Sequence, residues 1–590
     1  YHPSARAKSS FFRTAAQIAS LVRHRYSRVR PVAAGDASSR MRCSVMAILK
    51  RLRRRPKPVV QEPIAGYYTP GWLSRHRKTA VFAIFVMLFF YSAFFLLIGR
   101  FLLVPFVAPL VFLFMLIIWA LPERDRIPDK WLGYSFVAFM VAQLIWPNYL
   151  ALSISTLPWI TAVRLIGLPM VLLLLICLSQ STPFRTRLKE TLASSRALAT
   201  MMFSFIGVAV LSLAFSTDRG ASANHLIVAI TSWFGVFFVA VAFFQRTENV
   251  QKFVWLMWFA TIFWIVMGMW EWQTSRVPWA GRVPSFLKVE DEVVQRIIIG
   301  ATRAATGIYR VQGKYTTSLG LAEFMALMTP FLLHFLIESR TILIRVAAAL
   351  TLPMVFLTIV ATDSRLGAVG FFLSLLFYLA IWGIRQWKHK EGSLFGPAIM
   401  LGYPLIFMLF IVATFVVGRL RRMVWGTGAQ SFSTEAREVQ LAMGIQDVLA
   451  RPWGYGSGRG AEALGFTNLA GVLTIDNYYL SVALEYGVIG FILYYGMFLI
   501  GIIRGARVGI EETDPQRMWL IPAALSLANY FVIKSVFSQQ EGHPLAFALL
   551  GMIVALIWAS PHKNVPTFSG FVSIRPNFPT YRAVKDGGGR

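Results

Sequence analysis

The sequence is poor in cysteine and in charged residues. Its 590 residues include two cysteines, Cys43 and Cys177, and 14% of the chain is Asp, Glu, Lys or Arg. Two cysteines supply neither a disulfide framework nor a zinc cluster. Soluble domains carry about a quarter charged residues, and disordered chains are low in hydrophobicity, whereas this chain is 56% hydrophobic. These shortages exclude a soluble globular protein and a disordered one.

Several catalytic motifs are also absent from the sequence. The chain has no P-loop GxxxxGK[ST], no HExxH helix, no paired-cysteine metal site and no GxSxG nucleophile turn. P-loop nucleotide hydrolysis, zinc-protease chemistry and α/β-hydrolase chemistry therefore have no support. We expect neither a metal ion nor a cofactor.

Apolar runs long enough to cross a bilayer recur from Val81 to Ala559. They predict an all-α polytopic membrane protein with about 12–14 transmembrane helices, embedded in a phospholipid bilayer. The predicted spans are 79–98, 102–121, 132–147, 162–179, 199–215, 226–244, 253–271, 317–337, 342–361, 366–384, 397–417, 478–503, 518–536 and 544–560.

About half of the net charge lies before the first predicted span. Residues 1–78 carry +16 of the total of +31, with a dense basic run at 50–55. Nucleic-acid binding is one interpretation of this run, but a basic segment before a first span also retains the N-terminus in the cytoplasm, and we favour that interpretation without a nucleic-acid partner. Residues 1–40 resemble neither a signal peptide nor a domain, so we expect translation to start at Met41 or Met46.

The remaining positive charges predict the orientation of the chain. With the N-terminus inside, seventeen Lys and Arg residues fall in the predicted cytoplasmic loops and five in the short loops opposite. We therefore expect both termini in the cytoplasm and two long loops on the outer face. The predicted organisation is a basic tail at 1–78, a helical bundle at 79–271, an outer loop at 272–316, a second bundle at 317–417, an outer loop at 418–476, a third bundle at 477–560 and a cytoplasmic tail at 561–590.

Three arginines lie at predicted outer-leaflet depth: Arg310, Arg365 and Arg437. A guanidinium is always charged and presents a fork of donors that suits pyrophosphate. The alternative is an arginine that only reaches to the membrane interface. We favour a functional role for Arg365 because it stands between two spans with almost no loop.

A polar segment opens the predicted helix that begins near 478. Asp476 is placed to cap this helix, and Asn477 follows it directly. Glu485 comes nearly three turns later, inside the span. Asp476 is equally compatible with an N-cap and with a catalytic base. A carboxylate at the depth of Glu485 is costly unless it is paired or protonated.

A glycine-rich segment spans residues 454–460 and contains Gly456, Gly458 and Arg459. It follows no predicted strand and opens no Rossmann unit, so a dinucleotide site is disfavoured. Its backbone amides could approach an anion or a sugar, and a plain surface turn fits equally well.

The order of these motifs resembles the O-antigen ligase and O-antigen polymerase superfamily, over roughly residues 310–498. The motifs are Arg-x-x-Gly-x-Tyr from Arg310, Asp-Ser-Arg-x-Gly from Asp363, Arg-Pro-Trp-Gly-x-Gly-x-Gly from Arg451, and Asp-Asn-x-Tyr-Leu-x-x-x-x-Glu-x-Gly-x-x-Gly from Asp476. The resemblance implies the multi-span, lipid-dependent (GT-C type) glycosyltransferase architecture.

It also implies an inverting, metal-independent glycosyltransferase in the bacterial inner membrane, with a donor glycan on undecaprenyl pyrophosphate. By this resemblance Arg310, Arg365 and Arg437 hold the pyrophosphate, Asp476 and Glu485 are the catalytic candidates, and Gly456, Gly458, Arg459 and Asn477 line the substrate loop. The resemblance implies an acceptor glycan or lipid-linked repeat unit as the second substrate. It also implies a polysaccharide chain-length regulator or export complex as a protein partner.

The substrate class divides this family. Ligases that transfer glycan to lipid A-core usually have His-Asn where this chain has Asp476-Asn477. Asp-Asn is more similar to the exopolysaccharide and capsule polymerases, so polymerisation of repeat units is the first interpretation and ligation the second. A flippase for lipid-linked oligosaccharides or a secondary transporter is the alternative from another class, although the sequence shows no inverted repeat.

Overall fold

The computed structural model describes residues 113–123, 127–152, 160–284, 286–289, 309–390, 392, 394–418, 421, 431–467 and 471–559. The predicted tails at 1–78 and 561–590, the span at 79–98 and the first half of the span at 102–121 lie outside these residues. What the sequence predicts for these segments stays a prediction.

Besides a helical segment at 113–120, the described residues include sixteen α-helices and three short strands. They are α1 Asp129–Ile145, β1 Leu150–Leu152, β2 Ile160–Thr161, α2 Ala162–Gln180, α3 Thr182–Ala193, α4 Arg196–Phe215, α5 Arg219–Ala229, α6 Gly235–Phe243, α7 Thr247–Thr274, β3 Leu287–Val289, α8 Ser318–Glu338, α9 Ile342–Ala361, α10 Arg365–His389, α11 Phe395–Val416, α12 Ser431–Ala450, α13 Gly460–Leu464, α14 Tyr478–Glu511, α15 Leu520–Ile533 and α16 His543–Ala559. A π-helical turn, Ile230–Phe234, joins α5 to α6. The all-α polytopic fold predicted from the sequence is confirmed.

Within the described residues, the long apolar helices lie where spans were predicted. Among the described residues, nine helical segments are long and apolar enough to cross a membrane, α5 and α6 forming one of them. The spans predicted at 132–147, 518–536 and 544–560 are shorter helices of 17, 14 and 17 residues. The prediction at 518–536 was too long because Lys534 already lies beyond the end of α15.

Loops from distant parts of the chain meet at the two ends of the bundle. At one end, the amide of Val311 donates to the carbonyl of Ala361 at 3.2 Å. At the other, the guanidinium of Arg385 donates to the carbonyl of Gly509 at 2.7 Å. We call the first the site end; its described residues are 145–152, 160–161, 215–219, 274–284, 286–289, 309–317, 361–365, 450–467, 471–478 and 533–543. The other is the opposite end.

The two long predicted loops contain more regular structure than the sequence suggested. The loop predicted at 418–476 includes α12, a 20-residue helix that packs on α14, where a Cβ on Gly444 would lie 2.6 Å from Leu480. The loop predicted at 272–316 supplies β3, which pairs antiparallel with β1, and β1 pairs antiparallel with β2. These elements were missed because they are too short or too polar to register as spans.

Helix α14 is broken near its site end. Gly487 has φ 70° and ψ −175°, a conformation that L side chains rarely adopt. A Cβ at this position would also collide with the carbonyl oxygen of Pro452. The break therefore depends on glycine, and it separates a short outer segment of α14 from the longer segment that continues to Glu511.

Candidate functional site

Arg310 is held against the turn that joins α9 to α10. Its Nε donates to the carbonyl of Thr362 at 2.9 Å, and Nη2 donates to the carbonyl of Asp363 at 3.2 Å. The Asp363 carboxylate is 4.0 Å from Nε, and about a quarter of the arginine side chain stays exposed. These contacts fix the guanidinium beside the turn and leave part of it accessible.

Arg365 is the first residue of α10 and directly follows that turn. Ser364 caps the helix, since its Oγ accepts from the amide of Gly367 at 3.2 Å. Gly367 lies where a Cβ would be 2.8 Å from Ala322 of α8, so the start of α10 cannot move away from the bundle without losing this packing. Arg365 therefore starts the helix that follows the turn to which the guanidinium of Arg310 is bound.

Asp476 lies beside α12 and faces Arg437. Its amide donates to Oε1 of Gln440 at 2.9 Å. Burial raises the pKa of the Asp476 carboxyl, and the nearby charge of Arg437 opposes that rise. Arg437 and Gln440 are three residues apart on α12, so one face of this helix contacts the polar entry to α14.

The helix cap was assigned to the wrong residue in the sequence. Asn477, not Asp476, caps α14: its Oδ1 accepts from the amides of Tyr479 at 2.9 Å and Leu480 at 3.4 Å. Either side chain could serve as a cap, so the sequence alone left the choice between neighbours open. With Asn477 in this role, the carboxylate of Asp476 is not used in capping.

One short segment connects the two groups of site residues. Leu366, next to Arg365, packs against a cluster that includes Ile533 and Phe537. The carbonyl of Lys534 accepts from the amide of Tyr478 at 3.1 Å, directly after the Asp476–Asn477 pair. The arginine turn and the Asp476 group therefore contact the same segment, 533–537.

The glycine segment packs on the break in α14. The amide of Tyr455 donates to the carbonyl of Leu484 at 2.8 Å, and that of Gly456 donates to the carbonyl of Glu485 at 3.1 Å. Gly454 has φ 91°, and a Cβ there would lie 2.6 Å from the Glu485 carbonyl oxygen. This segment is neither a free surface turn nor an open anion cradle, because the amides of Tyr455 and Gly456 bind the helix.

Glu485 is buried and its carboxylate binds this segment. One oxygen accepts from the hydroxyl of Ser481 at 2.9 Å and the other from the amide of Gly458 at 2.8 Å. Arg459 contacts Glu462. The structure thus groups Glu485, Gly456, Gly458 and Arg459 at the break in α14, while Asp476 and Asn477 lie at the start of the helix.

A hydrogen-bonded row of side chains ties the glycine segment to the rest of the site end. Ser457 Oγ lies 2.8 Å from both the Tyr486 hydroxyl and Nδ1 of His225. Nε2 of His225 lies 2.9 Å from Oε1 of Gln540. This row joins α5, α14 and the loop before α16.

Further charged side chains, which were not predicted from the sequence as site residues, lie near these groups. Lys534 donates to Glu323 of α8 at 2.9 Å, and both side chains are almost completely buried. Glu271, at the end of α7, is also buried, and Glu541, before α16, is half-buried; both bind backbone amides of residues 312–316. A single carboxylate within an apolar span, as at Glu323, was the signal that could have found them.

The described residues of the site end form no candidate metal centre. Within the ranges that the structure describes, no cluster of three or more His, Cys, Asp or Glu side chains is placed to hold a metal ion.

The fold and the site define a multi-pass membrane protein with arginines and a buried carboxylate gathered at one end of the helix bundle. Residues 346–495 match the family model described as O-Antigen ligase. This part of the chain is therefore similar to the O-antigen ligase family, the resemblance that the motifs indicated. The match includes Arg365, Arg437, Asp476 and Glu485 and begins after Arg310. A comparison with curated proteins gives no match.

Proposed function

We propose that this protein is an inverting glycosyltransferase that polymerises lipid-linked repeat units of a surface polysaccharide or exopolysaccharide. The family supports transfer of lipid-linked glycans. The observation that carries the finer proposal is the contact of Asp476 with Gln440 on α12, the helix that also carries Arg437. The start of α14, next to Asp476, contacts the same segment as the Arg365 turn. The arginines that bind the donor substrate and the carboxylate that accepts a proton then act at one reaction centre.

In this proposal Arg310, Arg365 and Arg437 hold the pyrophosphate of an undecaprenyl-linked donor. Their forked donors neutralise the charge that develops on the leaving phosphate oxygen. Arg310 donates to the Thr362 carbonyl in the turn before Arg365, and Ser364 caps the helix that Arg365 begins. Both arginines are therefore in place to stabilise charge before the substrate binds.

Asp476 is the proposed general base. Its carboxylate takes the proton of an acceptor hydroxyl while the hydroxyl oxygen forms the new bond to the anomeric carbon. The bond from that carbon to the phosphate oxygen breaks, its electron pair stays on the oxygen, and undecaprenyl pyrophosphate leaves. Burial raises the pKa of Asp476 and so makes the carboxylate a stronger base than an exposed aspartate.

Glu485 is a weaker candidate for direct chemistry. Its two oxygens accept hydrogen bonds from Ser481 and Gly458, so its contribution to activity is to hold the glycine segment on the broken helix. In this proposal Gly456, Gly458 and Arg459 shape the acceptor side of the site, whereas Asn477 serves as the cap of α14 and not as a substrate-binding residue.

Ligation of the glycan to lipid A-core is the second candidate. The Asp476-Asn477 pair, in place of His-Asn, supports polymerisation over ligation. A flippase or transporter is disfavoured because the buried charges Glu271, Glu323 and Lys534 all lie near the site end, whereas alternating access needs a site near the membrane midplane that opens to both sides.

Gene deletion followed by analysis of surface polysaccharide tests the reaction. A polymerase predicts that long chains disappear and single repeat units remain. Accumulation of complete lipid-linked chains would instead identify a ligase. Unchanged polysaccharide would contradict both forms of the proposal.

Reporter fusions test the proposed orientation in the inner membrane. We expect a fusion after Gly460 to be active only in the periplasm, and fusions after Lys390 or Arg507 only in the cytoplasm. The charge bias of the loops motivates this expectation. A cytoplasmic Gly460 would place Arg437 and Asp476 on the wrong face for a periplasmic donor and would overturn the proposal.

A further inference from the structure

Glu271 binds the loop that carries Arg310. One carboxylate oxygen accepts from the hydroxyl of Tyr309 at 2.8 Å and from the amide of Gln312 at 2.9 Å. The other accepts from the amide of Gly313 at 2.9 Å. Three donors from five consecutive residues therefore converge on one side chain at the end of α7, which is completely buried.

The rest of this loop is held just as closely. The amide of Thr316 donates to Glu541 at 3.0 Å. Gly313 has φ 58°, and a Cβ there would lie 2.9 Å from the ring of Trp264, so the loop has no room to shift towards α7. The amide of Val311 donates to Ala361 at 3.2 Å, which joins the loop to the turn before Arg365.

In the sequence, Arg310 lies between the residues that bind Glu271. Tyr309 and Gln312, which flank it, both bind the same oxygen of Glu271, while the guanidinium extends towards Thr362. The carboxylate therefore sets the backbone from which Arg310 projects. An amide in its place would present an NH2 group to an N–H donor and would lose at least one of the three hydrogen bonds.

We propose that Glu271 is a positioning residue that orients Arg310 towards the pyrophosphate of the donor. This inference rests on the proposed function, because it takes the pyrophosphate role of Arg310 as given. Glu271 itself does not touch the substrate. It acts by fixing the loop, and Glu541 supports the same loop at Thr316.

Binding of undecaprenyl pyrophosphate to the full-length protein in lipid discs tests the inference. The comparison uses wild type, Arg310→Ala, Glu271→Gln and the double variant, with Glu248→Gln as the matched control, because Glu248 is exposed in the first turn of the same helix. We expect Arg310→Ala to weaken binding about 10–100-fold, as loss of a charge-assisted contact does. We expect Glu271→Gln to weaken it about 10-fold and Glu248→Gln to bind as wild type.

The double variant separates positioning from general support of the fold. If Glu271 acts through Arg310, the double variant binds no more weakly than Arg310→Ala alone. Independent losses that multiply in the double variant would overturn the inference, as would wild-type binding by Glu271→Gln. Wild-type binding by Arg310→Ala would instead overturn the pyrophosphate role in the proposed function.

A milder variant covers the case in which Glu271→Gln yields little folded protein. Tyr309→Phe removes one of the three donors and leaves the carboxylate and both amide contacts in place. We expect it to weaken binding about threefold, and only when Arg310 is present. An equal effect in the Arg310→Ala background would contradict positioning.

Discussion

Ion pairs at the two ends of the bundle differ in their exposure to solvent. Near the site end, Lys534 and Glu323 pair at 2.9 Å with 0% and 1% of their side chains exposed. At the opposite end, Lys388 and Glu511 pair at 3.2 Å with 50% and 61% exposed. The first pair joins α8 to the loop after α15, whereas the second joins the surfaces of two helix ends.

This difference indicates where the chain depends on individual charges. Removing one partner of a buried pair leaves an uncompensated charge in a medium that solvates it poorly, whereas an exposed partner is solvated by water. Arg517 is a buried exception at the opposite end, and it pairs locally with Glu512 and Asp514 to close one short loop. The site end instead uses its buried charges to join distant segments.

The largest expected loss of stability follows removal of the Lys534 ammonium. We expect Lys534→Met to lower the free energy of unfolding by about 3–5 kcal/mol, since Glu323 is then buried without its partner. Lys388→Met at the exposed pair is the matched control and should cost about 0–1 kcal/mol. Unfolding of the purified protein in detergent measures both.

The double variant Glu323→Leu, Lys534→Met sharpens this prediction. Replacing both charges by apolar groups removes the unpaired charge, so stability should recover most of the loss. Equal effects of Lys534→Met and Lys388→Met would contradict the contrast between the two ends.

The next effect concerns activity without a loss of protein. We expect Arg365→Lys to reduce turnover about 100-fold, nearly as much as Arg365→Ala, because an ammonium cannot make forked contacts to phosphate oxygens. Both proteins should insert at normal abundance. Arg385→Lys, at the opposite end, is the control that should retain activity, and wild-type turnover in Arg365→Lys would remove this residue from the donor site.

A smaller effect distinguishes two neighbouring residues. Asn477→Ala removes the cap of α14 and should lower stability by about 1 kcal/mol. Asp476→Asn should leave stability close to wild type, because Asn477 still binds the amides of Tyr479 and Leu480. Thermal unfolding of both variants checks the assignment, which would be wrong if Asp476→Asn were the more damaging change.

The smallest effect is a displacement of the pH–rate profile. Arg437 lowers the pKa of Asp476, so Arg437→Gln should raise that pKa further. The base then becomes protonated at higher pH, and the acid limb of kcat/KM should move upward in pH. Profiles normalised to their maxima remove any general loss of pyrophosphate binding. A limb that stays in place would show that Arg437 does not act on the base.

The apolar spans and the order of the family motifs could be predicted from the sequence. Bilayer thickness fixes the length of a spanning helix, so windows of about twenty apolar residues indicate both number and place. The sequence also indicated that Arg310 and Arg365 lie on the same side of the membrane, but not that Arg310 contacts the turn before Arg365.

The contacts between distant segments could not be predicted. Nothing local in the sequence links Glu271 to Gln312, or Lys534 to Glu323, because these pairs form only when helices far apart in the chain pack together. The choice of Asn477 over Asp476 as the cap depends on backbone geometry that two adjacent cap-forming residues leave open. The helix α12 was missed because its polar face hid it among loop residues.

The most direct test of the central claim is glycan transfer by purified protein in lipid discs, with the lipid fraction of a gene-deleted host as donor and acceptor. We expect wild type to form longer glycans and Asn477→Ala to retain this activity. Asp476→Asn should form none while binding undecaprenyl pyrophosphate normally, since an amide cannot take the proton of the acceptor hydroxyl at neutral pH. Asp476→His should restore part of the activity, because imidazole accepts a proton at this pH. Glycan elongation by Asp476→Asn at the wild-type rate would show that Asp476 is not the general base.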